Sequence, residues 1–208
     1  MCFRFFPAFP KDELKDMNII IKIFAVIGLV ATIFWGSVVA VVWSETRNFD
    51  PDAFGLYKEF VNKLLDTGDL ADAFVWEVKA EEGVSADDVK ESMKSLAVER
   101  NFLFVGESPF YKQAKAVTGK DYRHVAFMQF CDVTVGIEML EYNNAYSAFM
   151  PCVISVVEDK EGAVWIYSMN MDFMIHGANE LPPELKTKAL KVRRIMREIM
   201  EGAAAGEF

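Results

Sequence analysis

The hydrophobic pattern of the chain is uneven. From Ile23 to Trp43, twenty-one consecutive residues carry no charge. As a helix they cross roughly 30 Å of hydrocarbon. The spacing predicts a transmembrane helix over residues 18–43 after a tail of residues 1–17. The apolar run is longer than the ~7–15 residues of a signal-peptide core, and no A-x-A-like cleavage site follows it. Gly28, Thr32, Gly36 and Ala40 recur at every fourth position. Such a small-residue face lets another helix approach closely, from a second copy or from another membrane subunit.

Beyond the anchor the period changes. Asp50-Pro51 reads as an N-cap with proline at the first helical position. Phe54, Tyr57, Val61 and Leu64 then share a face until Thr67-Gly68, which predicts a stalk helix within residues 44–70 whose apolar stripe packs on the domain. Residues 71–208 read as one compact domain. Its strands are expected at about 72–79, 102–107, 123–131, 150–158 and 163–171, by alternation of apolar and polar positions. Between them lies a helix capped by Ser85, with Asp88 three residues on and Val89, Met93, Leu96 and Ala97 inside. A short helix starts at Ser108-Pro109 and ends at Thr118-Gly119. Another is capped by Asp132, with Val135, Met139 and Leu140 inside. The last two strands form a hairpin across Asp159 to Gly162. A closing helix after Pro182-Pro183 buries Leu185, Ala189, Val192, Met196 and Ile199 in a 4-3-4-3 seam. The predicted class is α+β: a single N-terminal transmembrane helix, then one domain with a sheet of about five strands and packed helices.

Charge divides the chain further. Of 208 residues, 22 are Lys or Arg and 31 are Asp or Glu, a formal charge of -9. The body between residues 44 and 185 is strongly acidic. The closing helix carries Lys186, Lys188, Lys191, Arg193, Arg194 and Arg197 within twelve residues and no acid among them. A solvated basic face is one reading of it, and docking on anionic lipid or on the acidic body of a neighbouring copy is the other. An acidic body repels polyanions, so nucleic acid is excluded as a partner. Arg4, Lys11, Lys15 and Lys22 flank the span on one side, against Arg47 and Lys58 on the other. That bias places the N-terminus in the cytoplasm and the domain outside the inner (plasma) membrane, in the periplasm where there is one. Lys11 to Leu14 spell KDEL, but internally, where no retention receptor reads it.

Candidate chemistry is confined to sulfur. Cys131, Met150 and Cys152 fall near strand ends, and Met169, Met171, Met174 and His176 follow. Thiolate and thioether donors with one imidazole suit copper(I), and a Met or His ligand would also suit non-covalent haem. Methionines as core filler explain the same pattern without a cofactor. For Cys131 and Cys152, a disulfide, buried free thiols and ligand or redox-active thiols all fit the spacing. His124 lies near the start of its strand and reads as structural. There is no C-x-x-C-H, G-x-S-x-G, H-E-x-x-H or phosphate-binding glycine pattern, and no spacing singles out an acid/base pair of carboxylates. An enzyme is therefore not indicated.

Three stretches resemble the bacterial and archaeal domain-of-unknown-function family 302: Val84 to Gly106, Phe130 to Gly136, and Phe149-Met150-Pro151-Cys152 through Glu158-Asp159 to Gly162-Ala163-Val164-Trp165-Ile166-Tyr167. The resemblance spans Val84 to about Met174 and implies a compact α+β domain, often dimeric, with no agreed activity. Cysteine at positions 131 and 152, the anchor and the stalk depart from the family's usual pattern. The expectation is a membrane-anchored extracytoplasmic binding or accessory module, part of an oligomer or a larger membrane complex and without catalysis. The alternative is a periplasmic copper or redox protein using Cys131, Cys152 and the run 169–176. In either case the partners are membrane lipid and other copies or subunits.

Overall fold

The computed structural model describes residues 11–208, with side chains from residue 21 onward. The chain divides between Asn48 and Phe49 into two units. The first is helix α1, Lys11–Thr46. It extends the predicted span at both ends and takes in residues assigned to the tail. Within it Ile21–Thr46 is long and apolar enough to cross a membrane. Thr32 Oγ1 donates to the Gly28 carbonyl at 2.8 Å, so its hydroxyl is satisfied inside the helix. Cys2 and the aromatic leader lie outside the described residues.

The second unit opens with α2 (Ala53–Thr67) and the short α3 (Leu70–Phe74). The strands are β1 (Val75–Lys79), β2 (Leu103–Ser108), β3 (Val125–Cys131), β4 (Cys152–Glu158) and β5 (Val164–Met169). They form one antiparallel sheet in the order β1-β5-β4-β3-β2. Helices α4 (Ala86–Glu99), α5 (Phe110–Thr118), α6 (Val133–Tyr142), α7 (Asp172–His176) and α8 (Pro183–Ala204), with a 3-10 turn at Asn144–Phe149, complete it. An α+β fold with about five strands is therefore confirmed.

The sheet's strand alternation sets its two faces. Met128, Phe130, Ile154, Val156 and Ile166 point to one face and are fully buried. Val89, Met93, Leu96 and Ala97 of α4 meet them there, with the predicted seam of α8. Each of these large side chains contributes on the order of 1.5–3 kcal/mol by leaving water. The capping box of α4 forms as expected: Ser85 Oγ accepts from Asp88 N, and Asp88 accepts from Ser85 N. The two helices lie so close that a Cβ at Gly202 would stand 2.8 Å from Leu96 Cδ1, so a larger residue at that crossing would have to displace the leucine side chain.

Four local expectations are corrected. Asp50 is not the N-cap of α2: the helix starts at Ala53 after Asp52, and the Asp50 carboxylate that accepts from Asp52 N also reaches His176. The stripe of α2 is rotated from the predicted one. Phe54, Tyr57 and Val61 are exposed, whereas Ala53 is buried and Phe60 packs edge-on to Phe74 and Phe173. The strand expected from residue 72 starts at Val75, since Asp69 accepts a hydrogen bond from Ala71 N and winds Leu70–Phe74 into a helical turn. Leu140 of α6 is half-buried, while Val135 and Met139 are buried.

The basic residues of α8 are mostly answered from within. Lys186 lies on Asp50 and Glu180, Lys188 on Glu138, and Arg193 on Asp172; Arg194 and Arg197 face Glu198 and Glu201 on their own helix. Of the six cations only Lys191 has no carboxylate within 4 Å among the described residues. The paired, solvated face accounts for the run.

Candidate functional site

Sulfur gathers where β3 ends and β4 begins. Asp132 closes β3 and caps α6 by accepting from Val135 N at 3.1 Å, which turns the chain sharply after Cys131. One turn of α6 then presents Gly136 and Met139, and the 3-10 turn delivers Phe149 and Met150 back to the start of β4 at Cys152. From the far side α7 and the residue before it add Met171, Met174 and Ile175, and α8 adds Ala189 and Val192. These side chains line a small, largely apolar cavity of about 40 Å³. A Cβ on Gly136 would stand 3.6 Å from Met150 Sδ and 3.8 Å from Cys131 Sγ, so both sulfurs converge on the space that glycine leaves.

Neither cysteine is bridged. Burial, with the Cys131 sulfur second, pushes the Cys152 thiol up to about 11. Burial and the Asp132 carboxylate push Cys131 up as well. Both are protonated at neutral pH and are poor nucleophiles in that form.

Beside the cavity the surface opens into two adjoining hollows of about 330 and 430 Å³. They share Phe149, Met169 and Met174. The first runs over Met150, Val153, Ser155 and Tyr167; the second ends on Tyr57, Phe60, Phe74, Tyr146 and Phe173. Phe74 and Phe173 stack at 4.4 Å between ring centres, and Tyr57 and Phe60 meet Phe173 edge-on. Tyr146 donates to the Met174 carbonyl at 3.3 Å. No carboxylate, lysine, arginine or histidine lines either hollow.

A third cluster is polar. Asp50, 1% exposed, accepts from Asp52 N at 3.0 Å, lies 2.9 Å from His176 Nδ1 and pairs with Lys186 Nζ at 2.6 Å. Burial works to raise its pKa, but the bonds from Lys186, the Asp52 amide and His176 outweigh it and hold the carboxyl at about 2. Backbone bonds run alongside: Asp50 N donates to Ala178 O at 2.8 Å, and the Tyr57 hydroxyl donates to Gly177 O at 2.6 Å. Gly177 has no room for a side chain, because a Cβ would overlap the Phe173 carbonyl. Asp50, Asp52 and His176 are close enough to share an ion. Lys186 already supplies the positive charge at Asp50, so this group reads as an ion-paired clip.

The predicted ligand set is thus divided. Cys131, Cys152, Met171 and Met174 come together with Met150; Met169 lines the open hollows, and His176 belongs to Asp50. Met139, expected in the core, joins the sulfur cavity. Asp50 escaped notice because Asp-Pro before an apolar run is also the signature of a helix start. His124 stacks on Tyr111 at 4.4 Å between ring centres, and burial lowers its pKa, which fits the structural role.

A family model for a domain of unknown function, DUF302, matches residues 76–203. A crystal structure of an uncharacterized conserved DUF302 protein from Bacillus stearothermophilus is similar at 16% identity, covering 62% of this chain and 96% of that one, with a TM-score of 0.49. No curated protein matches the sequence.

Proposed function

We propose that this chain, which belongs to the DUF302 family, is a membrane-tethered, non-catalytic binding module for an uncharged, largely apolar ligand. The observation that carries the reading is the pair of adjoining hollows, lined by methionine and aromatic side chains and free of charged groups. Their size is that of small-molecule sites. Methionine is adaptable enough to accept an irregular apolar shape, and Ser155, Ser168, Tyr146 and Asn143 offer the few polar contacts that orient a ligand. A lining without a titratable acid/base pair fits binding better than proton transfer. The anchor fits as well: Ile21–Thr46 is long and apolar enough to cross a bilayer, where apolar molecules concentrate. On this reading the domain is extracytoplasmic, and the Gly28, Thr32, Gly36 and Ala40 face of the anchor receives a second copy or another membrane subunit.

Photolabelling tests the site. The full chain in lipid nanodiscs is irradiated with a diazirine-bearing long-chain alcohol and the adducts are mapped by peptide mass spectrometry. Adducts at Phe149, Met169 or Phe173 are expected, reduced several-fold by Met169→Lys. Adducts confined to Ile21–Thr46 would remove the proposal.

A further inference from the structure

We infer that the small cavity beside these hollows is a binding site for a single copper(I) ion, held by the Cys131 thiolate, the Met150 thioether and a further thioether from Met171 or Met174. The inference does not depend on an apolar ligand in the open hollows. It starts from the lining. Two thiols and four thioethers, from Met139, Met150, Met171 and Met174, surround about 40 Å³. A space of that size has room for an ion and none for a porphyrin.

Charge decides which ion. Apart from Asp132, whose carboxylate caps α6, the cavity walls are apolar, and a further uncompensated charge there is costly. One thiolate with thioethers around Cu(I) is neutral overall. A divalent ion would need two thiolates to reach neutrality, and thioethers are poor ligands for zinc; soft sulfur donors of both kinds select Cu(I). Imidazole takes no part, because His176 Nδ1 is held at 2.9 Å by Asp50 on another side of α7. Cys131 rather than Cys152 supplies the thiolate, because Cys131 Sγ and Met150 Sδ converge on the gap at Gly136. In the binding step the Cys131 S–H bond breaks, a Cu–S bond forms and one proton leaves to solvent. Copper enters as Cu(I) and no electron moves.

The test uses the full chain in detergent in a Cys2→Ser background, loaded anaerobically with Cu(I) from a chromogenic chelator. One copper per chain is expected, with X-ray absorption showing sulfur neighbours only and with affinity rising about tenfold per pH unit near neutrality. Cys131→Ser should weaken binding at least 100-fold, and the near-isosteric Met150→Leu about tenfold. Gly136→Ala separates a site from mere packing. Its Cβ would sit at ordinary contact distance between the two sulfurs, and alanine suits a helix better than glycine. Its melting temperature should hold or rise while copper affinity falls. Copper held as tightly by Cys131→Ser, nitrogen or oxygen neighbours in the absorption spectrum, or affinity unchanged in Gly136→Ala would each overturn the assignment.

Discussion

Replacing Asp50 by asparagine keeps the shape of the clip and removes its charge. In the native domain the carboxylate is fully buried between Lys186 and His176. Removing one partner of a buried pair costs about 3–5 kcal/mol, because the other charge is left uncompensated. Two features of the structure put Asp50→Asn near the lower end. Lys186 retains Glu180 at 2.8 Å, and it keeps some solvent access. A loss of about 3 kcal/mol lowers the melting temperature by roughly 6–12 °C for a domain of this size. Acid supplies a second signature. The carboxyl is held at about 2, below the ordinary 3.8. A depressed acid stabilises the fold above pH 3.8, and that contribution disappears as pH falls through about 2. The gap between native and variant proteins is therefore widest above pH 4 and narrows towards pH 2. Thermal unfolding of the full chain in detergent, followed by near-ultraviolet circular dichroism, measures both. A shift under 2 °C at pH 7, or a gap that does not narrow in acid, would falsify the reasoning. The double variant D50N/K186M should lose less than the two single changes added together.

Three further outcomes are expected. Gly177→Ala forces a Cβ into the Phe173 carbonyl and should cost about 2 kcal/mol or more, visible as a lowered urea midpoint; an unchanged midpoint would show that the loop gives way freely. Alkylation of Cys152 by iodoacetamide in the folded chain should keep rising with pH until about 11, because burial pushes its thiol up to that value; peptide mass spectrometry reads it, and a rate that levels off near pH 9 would contradict the shift. Leucine at Gly28 and Gly36 should dissociate any assembly seen by blue-native electrophoresis in mild detergent, whereas an unaltered band would take the small-residue face out of the interface.

Much of the fold was legible because its elements are amphipathic and locally capped. The inner face of α4, the seam of α8 and the hairpin β4–β5 follow from period and cap residues alone. What was not legible depends on partners distant in sequence. Asp50 meets His176 across 126 positions, and nothing in Asp-Pro-Asp distinguishes a helix cap from a buried ion pair. The stripe on α2 was misplaced because that helix has apolar residues on two faces, and only the Phe74 and Phe173 rings decide which one packs. In the sulfur run, alternation holds through Met169 and then fails. β5 ends there, so Met171 and Met174 leave the strand and swing towards the cavity while Met169 stays on the sheet.

That departure from alternation links the three clusters. Helix α7 is five residues long, and successive side chains on a helix point about 100° apart. Phe173 therefore enters the aromatic cluster, Met174 and Ile175 face the sulfur cavity, and His176 reaches Asp50. A helix this short has little stability of its own, so its placement rests on those contacts. Its ionic contacts among the described residues are the buried Asp50 clip and the part-buried pair of Asp172 with Arg193. Asp50→Asn should accordingly speed amide hydrogen exchange in Met171–Gly177 well before it affects β3 or β4, at pH 7 and below the melting range. If the segment exchanges as slowly in the variant as in the native chain, packing of Phe173 and Ile175 and the Asp172–Arg193 pair hold α7 without the clip. The clip would then fasten only the segment that follows the anchor, and the binding hollows would be independent of it.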